Sequence, residues 1–408
     1  MKRFLKPTLR LNSKPKPRLP LKNRKGASGT SNRGVNLRNS HSKLFFLVAG
    51  LAIFGIAGNL LAEEAKNSLP SIYKTDFVIG GQFFDYQNYN NVPYFHGGLD
   101  LVAPAGTAIY TPVAGTVTIS DYKITASNEP HTFSYARKPF RRGDSSQTRY
   151  LEVAIKTDAG LTWMFRHVNP ASIPPQVFDY AETGLRVNKG QLIGRVAAWL
   201  EPVLPEKRIY DHLHLEILDT QGNYHNPAKY VKTGKDYYPP VLHNVFAARH
   251  GSTEAQILNS AAPIKVSGDL DLIVAVTDRM NEAAYQHALY SAIWSLDRLA
   301  ADGTTEKIEY CEAFRFDILP FTGDRVQLSR VIYRDHLNTP TGKISANGSR
   351  GPRYFLVNIT SGSLATGYSP ENCLRTARYR NGLYRLQLQV ADNAGNTRQQ
   401  AFTLQIEN

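Results

Sequence analysis

Tyr210 to Ile217 reads YDHLHLEI. In an extended chain successive side chains point to opposite faces, so His212, His214 and Glu216 share one face while Leu213, Leu215 and Ile217 share the other. A strand of this pattern can lay its apolar face on a core and hold two imidazoles and a carboxylate together on the opposite face. What that polar face does is the question the rest of the sequence has to answer.

Runs of similar character surround it. Ala114–Ser120, Tyr150–Lys156, Thr162–His167 and Gln191–Val196 are strand candidates punctuated by Gly and Pro, and no long helical period interrupts them. An all-β first domain is expected over residues 73–235, after a short linker at 63–72. Between Asp121 and Thr148 lies a polar, basic insertion containing KPFRRGD, too polar for a core strand and too long for a hairpin turn. It is expected to be a surface excursion, and its Arg-Gly-Asp triplet is read as chance. KDYYPP, Lys235 to Pro240, forces extended backbone and marks a boundary. Beyond it, over 236–408, IKVSG, LDLIVAVTD, YSAIWSLD and YFLVNIT read as strands. The chain ends on YRLQLQV, the turn DNAGN and AFTLQI, which alternate Tyr384, Leu386, Leu388 and Val390, then Phe402, Leu404 and Ile406, against polar residues. Two such strands closed by a Gly/Asn turn form a hairpin with one buried face, as in a β-sandwich, and this ending resembles the final hairpin of bacterial immunoglobulin-like modules.

The formal charge of +14 suggests a nucleic-acid binder until it is located. Residues 1–43 hold 13 Lys or Arg and no Asp or Glu, whereas the remainder has 35 basic against 34 acidic side chains. A basic tail without apolar periodicity is expected to be disordered, and no nucleic-acid partner is expected. Leu44–Ala62, LFFLVAGLAIFGIAGNLLA, carries no charge and as a helix would span roughly 28 Å, the thickness of a bilayer's hydrocarbon core. The charge asymmetry then keeps the positive tail in the cytoplasm and exports everything after Glu63; the tail either enforces this topology alone or also binds anionic headgroups or an acidic cytoplasmic partner. A signal peptide cleaved after Leu-Leu-Ala is the competing reading, with 43 residues a long positive region for one. Cys311 and Cys373 fall on the exported side, where a disulfide between them is permitted and two free thiols are the alternative. No zinc-finger spacing exists, so a metal would be held mainly by His and carboxylate.

Three segments carry the chemistry. HGGLDLVAPAGTAIYTPVAGTV starts at His96, with Asp100 four residues on and two glycines between, so that imidazole and carboxylate can converge as N and O ligands. HLH places two imidazoles on one strand face. MFRHVNP brings His167 after an aromatic strand, where alternation puts it on the face of Trp163 and Phe165, and a core or edge histidine is the default reading.

In order and wording these segments resemble the M23 family of zinc peptidases, the LytM and lysostaphin type, with HxxxD before PxGT and AxxGxV segments, a YxH element, a GQxIG element and a closing HxH. The chain has His96-Gly-Gly-Leu-Asp100, PAGT at 104–107, AGTV at 114–117, FRH at 165–167, GQLIG at 190–194 and HLH at 212–214, spread from Tyr73 to Tyr230. Phe165 stands where Tyr is usual and Leu215 where Phe is common after HLH. The resemblance implies an M23-type antiparallel sheet; with the C-terminal sandwich and the one transmembrane helix read above, the expected fold class is mainly β. It implies Zn2+ on His96, Asp100 and His214, with His167 and His212 as the catalytic histidines that do not bind it. His212 would be the general base, and His167 would orient water and support the oxyanion. The substrate class implied is peptidoglycan, cut at peptide bonds by an enzyme anchored in the cytoplasmic membrane and facing outward. Neutral imidazoles are needed for zinc, so activity is expected to fall below about pH 6 and to be lost on chelation. A catalytically silent regulator of another wall hydrolase, or a wall-binding scaffold, is the alternative.

Overall fold

The computed structural model describes residues 69–408 apart from 90–91, 129–130, 147–148, 200–209, 259–260, 281–284, 320–324 and 347–353. The expected basic tail (1–43), membrane segment (44–62) and linker residues 63–68 lie outside the described residues. Among the described residues no helix is long and apolar enough to cross a membrane.

The protein is mainly β. Eight strands position the site: β1 (Val78–Gly81), β2 (Leu99–Val102), β3 (Gly115–Asn128), β4 (His131–Pro139), β5 (Leu151–Lys156), β6 (Thr162–Val168), β7 (Arg186–Val187) and β8 (His212–Leu218). They run β1-β2-β8-β6-β5-β3-β7 in one antiparallel sheet, with β4 paired to β3. The alternation read in HLHLEI holds, because Leu213, Leu215 and Ile217 are fully buried in a core with Leu99, Leu101, Val153, Ile155, Trp163 and Phe165. A helix, Pro175–Thr183, adds Val177 and Phe178 to that core and stops at Gly184 in the left-handed conformation, φ 73°.

The polar insertion is more ordered than a loop. β3 continues to Asn128 and β4 returns beside it, in register from Ser120 opposite Pro139 to Asn128 opposite His131. Polar side chains do not prevent strand pairing, since the ladder is made by the main chain and a ribbon can be solvated on its faces. The ribbon is tied down by Arg137, whose Nε donates to Glu152 Oε1 at 2.7 Å.

Residues 241–406 build two further sheets. One runs Ala255–Ile257, Val241–Arg249, Asp269–Thr277, Phe355–Asn358 and Tyr333–Arg334, and the other runs Ile264–Val266, Thr397–Ile406, Gly382–Ala391, Ser291–Leu299 and Thr305–Arg315. They enclose one core, to which Val245, Leu272 and Val274 contribute from the first and Trp294, Leu386, Leu388 and Phe402 from the second. Tyr384, Leu386, Leu388, Val390, Phe402, Leu404 and Ile406 are all buried between these two sheets, which pack as a sandwich. Phe83, Phe84, Tyr86, Phe95 and Tyr224, from the N-terminal side of KDYYPP, sit in that same core. Ile318–Leu319 in turn pairs with Tyr224–His225, which joins β8, so the first sheet ends on a strand from the second part. Cys311 and Cys373 are both free thiols, half-buried.

Candidate metal centre

β8 lies between β2 and β6, with His214 directly opposite Asp100 on one side and Arg166 on the other. Opposed residues of an antiparallel pair share a face, so His214 and Asp100 converge by register alone. His96 arrives from the turn before β2. That turn runs flush against β8, where a Cβ on Gly98 would meet the Leu215 carbonyl oxygen at 2.3 Å, so only glycine fits. Gly81 of β1 forms the floor, as a Cβ there would stand 2.8 Å from Asp100 Oδ2 and 3.0 Å from His96 Cε1.

The three ligand-type atoms meet at one point. His96 Nε2 lies 3.0 Å from Asp100 Oδ1 and 3.0 Å from His214 Nδ1, which is 2.8 Å from the same Oδ1. Each imidazole is oriented by its other nitrogen: His96 Nδ1 faces the Gln82 carbonyl at 2.8 Å and His214 Nε2 faces Glu216 Oε1 at 2.9 Å. With those nitrogens donating, the remaining lone pairs of both rings and the carboxylate oxygen point at one another, an arrangement that requires a cation or a proton between them. Burial alone would lower the His96 pKa, but the charge and hydrogen bond of Asp100 outweigh it and push His96 up to about 9. A metal ion bound there would take the place of a proton that the metal-free group holds. Burial works against Asp100 as an anion, yet the charges of His96 and His212 and bonds from His214 and His96 hold it well below the usual carboxylate range. Tyr210 completes the carboxylate, its hydroxyl donating to Asp100 Oδ2 at 2.9 Å. His96, Asp100 and His214 can thus hold a metal ion, and two nitrogens with one oxygen is a donor set that suits zinc.

His212 and His167 stand beside this group, their rings 4.6 Å apart. His212 Nδ1 faces the Tyr210 carbonyl at 2.7 Å, which leaves Nε2 as the acceptor, 3.7 Å from Asp100 Oδ1. His167 Nδ1 lies 2.7 Å from the Tyr122 hydroxyl. Burial keeps both rings below the ordinary histidine pKa, with the His212 and His214 charges adding to the effect at His167. Trp199 closes the far side, its ring 4.8 Å from His167 and 4.7 Å from His212, stacked on Tyr150.

His167 reaches this place against strict alternation, and the expectation that it shares a face with Trp163 and Phe165 is corrected. Those two rings are in the core, whereas His167 faces the site. Its φ of 66° makes it the only non-glycine residue with positive φ among the described residues, and the β5–β6 register slips between Leu151 and Val153. A bulge with a left-handed residue re-aims a side chain at a local cost of about 1–3 kcal/mol.

Sequence reasoning missed Gln82, Tyr122, Tyr210 and Trp199, and also a buried chain of charges. Arg166, 1% exposed, donates from Nη1 to Glu216 Oε1 at 2.6 Å and from Nε to Glu152 Oε2 at 2.7 Å. Glu216 thereby joins Arg166 to the His214 ring. The available signal was a charged residue inside an apolar strand run. Glu216→Gln is expected to weaken metal binding roughly 10–100-fold with the fold retained, because the amide orients His214 less strongly than a carboxylate. Competition with a chromophoric chelator checks this, and an unchanged affinity would remove Glu216 from that role.

Fold and donor set together define a mainly β protein with a buried His-Asp-His group able to hold a metal. No family model matches the sequence, and no curated protein matches it. Four solved chains do match. One belongs to the SpoIIQ-SpoIIIAH pore forming complex, with 16% identity, 40% of this chain and 91% of that chain covered, and a TM-score of 0.26. Another is a "putative peptidase M23" from Pseudomonas aeruginosa, with 21% identity, 45% of this chain and 63% of that chain covered, and a TM-score of 0.21.

Proposed function

We propose that this protein is a zinc-dependent endopeptidase of the M23 type that hydrolyses peptide bonds in peptidoglycan. The observation that carries the reading is the meeting of His96 Nε2, Asp100 Oδ1 and His214 Nδ1 beside two neutral histidines. Zinc bound there would supply Lewis acidity and a water acidic enough to ionise near neutral pH. His212 Nε2, a free acceptor, takes the proton of the attacking water and returns it to the leaving amine. Tyr122, donating to Nδ1, fixes the His167 tautomer that carries hydrogen on Nε2, which donates to the carbonyl oxygen as negative charge develops. Trp199 and Tyr150 shield both rings from bulk water on one side. The reading includes an anchor at residues 44–62 in the cytoplasmic membrane, the basic tail inside and the β part in the periplasm or outside the cell.

A second reading, a catalytically silent regulator, is favoured by one contact. The ring of Tyr285, from the sandwich part, stands 5.6 Å from that of Tyr210, the residue that holds Asp100.

Incubating the zinc-loaded protein with purified sacculi and analysing the muropeptides by mass spectrometry tests both. The expected result is new uncross-linked or shortened peptides from wild type. His212→Ala should bind zinc as well as wild type and release them about 10²–10⁴-fold more slowly. No product from zinc-bound wild type would discard the enzyme in favour of the regulator.

A further inference from the structure

Three sequence features noted above for backbone reasons, KDYYPP, the end of LDLIVAVTD and the DNAGN turn, each contribute one carboxylate to a single place. Asp236, Asp278 and Asp392 each offer an oxygen, and these oxygens all lie within 4.8 Å of one another. Asp278 and Asp392 are each 1% exposed. Two of the three carboxylates are anchored. Asp392 Oδ1 accepts from the amides of Gly395 at 2.7 Å and Asn396 at 2.9 Å, and its Oδ2 accepts from Asn396 Nδ2 at 2.8 Å. Asp236 Oδ1 accepts from the Tyr238 amide at 3.1 Å, while its carbonyl accepts from Asn396 Nδ2 at 3.1 Å.

Asp278 differs, because both of its carboxylate oxygens are buried and neither has a hydrogen-bond partner. Its main chain is fixed, since it exchanges both amide bonds with His287 at 2.9 Å, and His287 Nδ1 is held by Asp85 Oδ2 at 2.9 Å. An unsolvated, unpaired carboxylate facing two others is among the most costly arrangements a folded chain can hold. Burial, then the charges of Asp392 and Asp236, push its pKa up to about 9 against a weaker pull from the Arg279 amide.

We infer that Asp236, Asp278 and Asp392 form a binding site for a hard divalent cation, Ca2+, separate from the His96–Asp100–His214 group. An all-oxygen donor set selects calcium over zinc. Calcium–oxygen bonds are about 2.4 Å, so two oxygens on one ion stand no more than about 4.8 Å apart, a limit that these three carboxylates satisfy. The ion fastens the segment leading out of the first sheet (Asp236) to both sheets of the sandwich, through the end of Asp269–Thr277 and the turn between Gly382–Ala391 and Thr397–Ile406. The inference stands on these residues alone and is independent of the peptidase reading.

Its test uses the full-length chain, stripped of divalent cations, given one equivalent of Zn2+ and titrated with CaCl2 by calorimetry and thermal unfolding. The expected result is one Ca2+ per chain and a Tm raised by several degrees, in wild type and equally in His214→Ala. Asp278→Asn should bind Ca2+ at least about 100-fold more weakly and lose the Tm shift. If that variant fails to fold, Asp392→Asn, which keeps an Oδ1 acceptor for the turn, is expected to show the same loss. Absence of both heat and Tm shift in wild type at millimolar Ca2+ would overturn the inference, leaving the carboxyls to share a proton. An undiminished response in the Asp278 or Asp392 variant would also overturn it, as would loss of the response in His214→Ala.

Discussion

His214→Ala protein is expected to retain its fold, to carry less than a tenth of the zinc of wild type after dialysis, and to release no muropeptides above background. His214 touches both of the other two residues of the group, its Nδ1 lying 2.8 Å from Asp100 Oδ1 and 3.0 Å from His96 Nε2. Truncation leaves one imidazole and one carboxylate, too few for a closed zinc shell. It also leaves Glu216 without the ring it orients, although Arg166 continues to neutralise that carboxylate, so the loss should be of metal and not of structure. Metal content by atomic emission, read beside thermal unfolding, separates the two. A variant that keeps stoichiometric zinc and full hydrolysis would remove this group from the chemistry.

Arg166→Met is expected to destabilise the protein by roughly 3–5 kcal/mol. The guanidinium is buried with Glu152 and Glu216, whose side chains are 2% and 1% exposed. Methionine matches much of its length but leaves both carboxylates in a low-dielectric interior without the Arg166 charge, Arg137 remaining on Glu152. The triple change Arg166→Met, Glu152→Gln, Glu216→Gln should recover a large part of that stability while losing zinc affinity through Glu216, because removing an entire buried ion network is far cheaper than removing one partner. Denaturant titration of the three proteins measures this. A single variant within about 0.5 kcal/mol of wild type would show that water reaches the carboxylates and that the network is not closed.

Much of this was legible in the sequence because the relevant information was local. Period-two alternation in YDHLHLEI and YRLQLQV specifies faces directly, and both strands bury the predicted sides. The family resemblance implied His96, Asp100 and His214 as metal ligands, and the structure brings these three together in a group that could hold a metal ion. What stayed hidden depends on chain geometry or distant contacts. The face of His167 follows from a one-residue bulge that no hydrophobic pattern records. Gln82 acts through its carbonyl, which any residue could supply, and Tyr122 through a hydroxyl on a strand continuous with the polar insertion. Phe83, Phe84 and Phe95 fall within the stretch 73–235 expected to form the first domain, and nothing local shows that the core they enter lies largely beyond residue 240.

That last arrangement bears on how the protein responds to force. Phe95 is set in the sandwich core and His96 is the next residue, while Gln82, whose carbonyl holds the His96 ring, directly precedes Phe83 and Phe84 in the same core. A displacement of the sandwich core would therefore reach His96 by two routes, the Phe95–His96 peptide bond and the hydrogen bond between its ring and the Gln82 carbonyl. Tension and stiffness enter the description of this centre together with coordination chemistry, and severing the chain near residue 240 would both uncover apolar rings and slacken the mounting of His96.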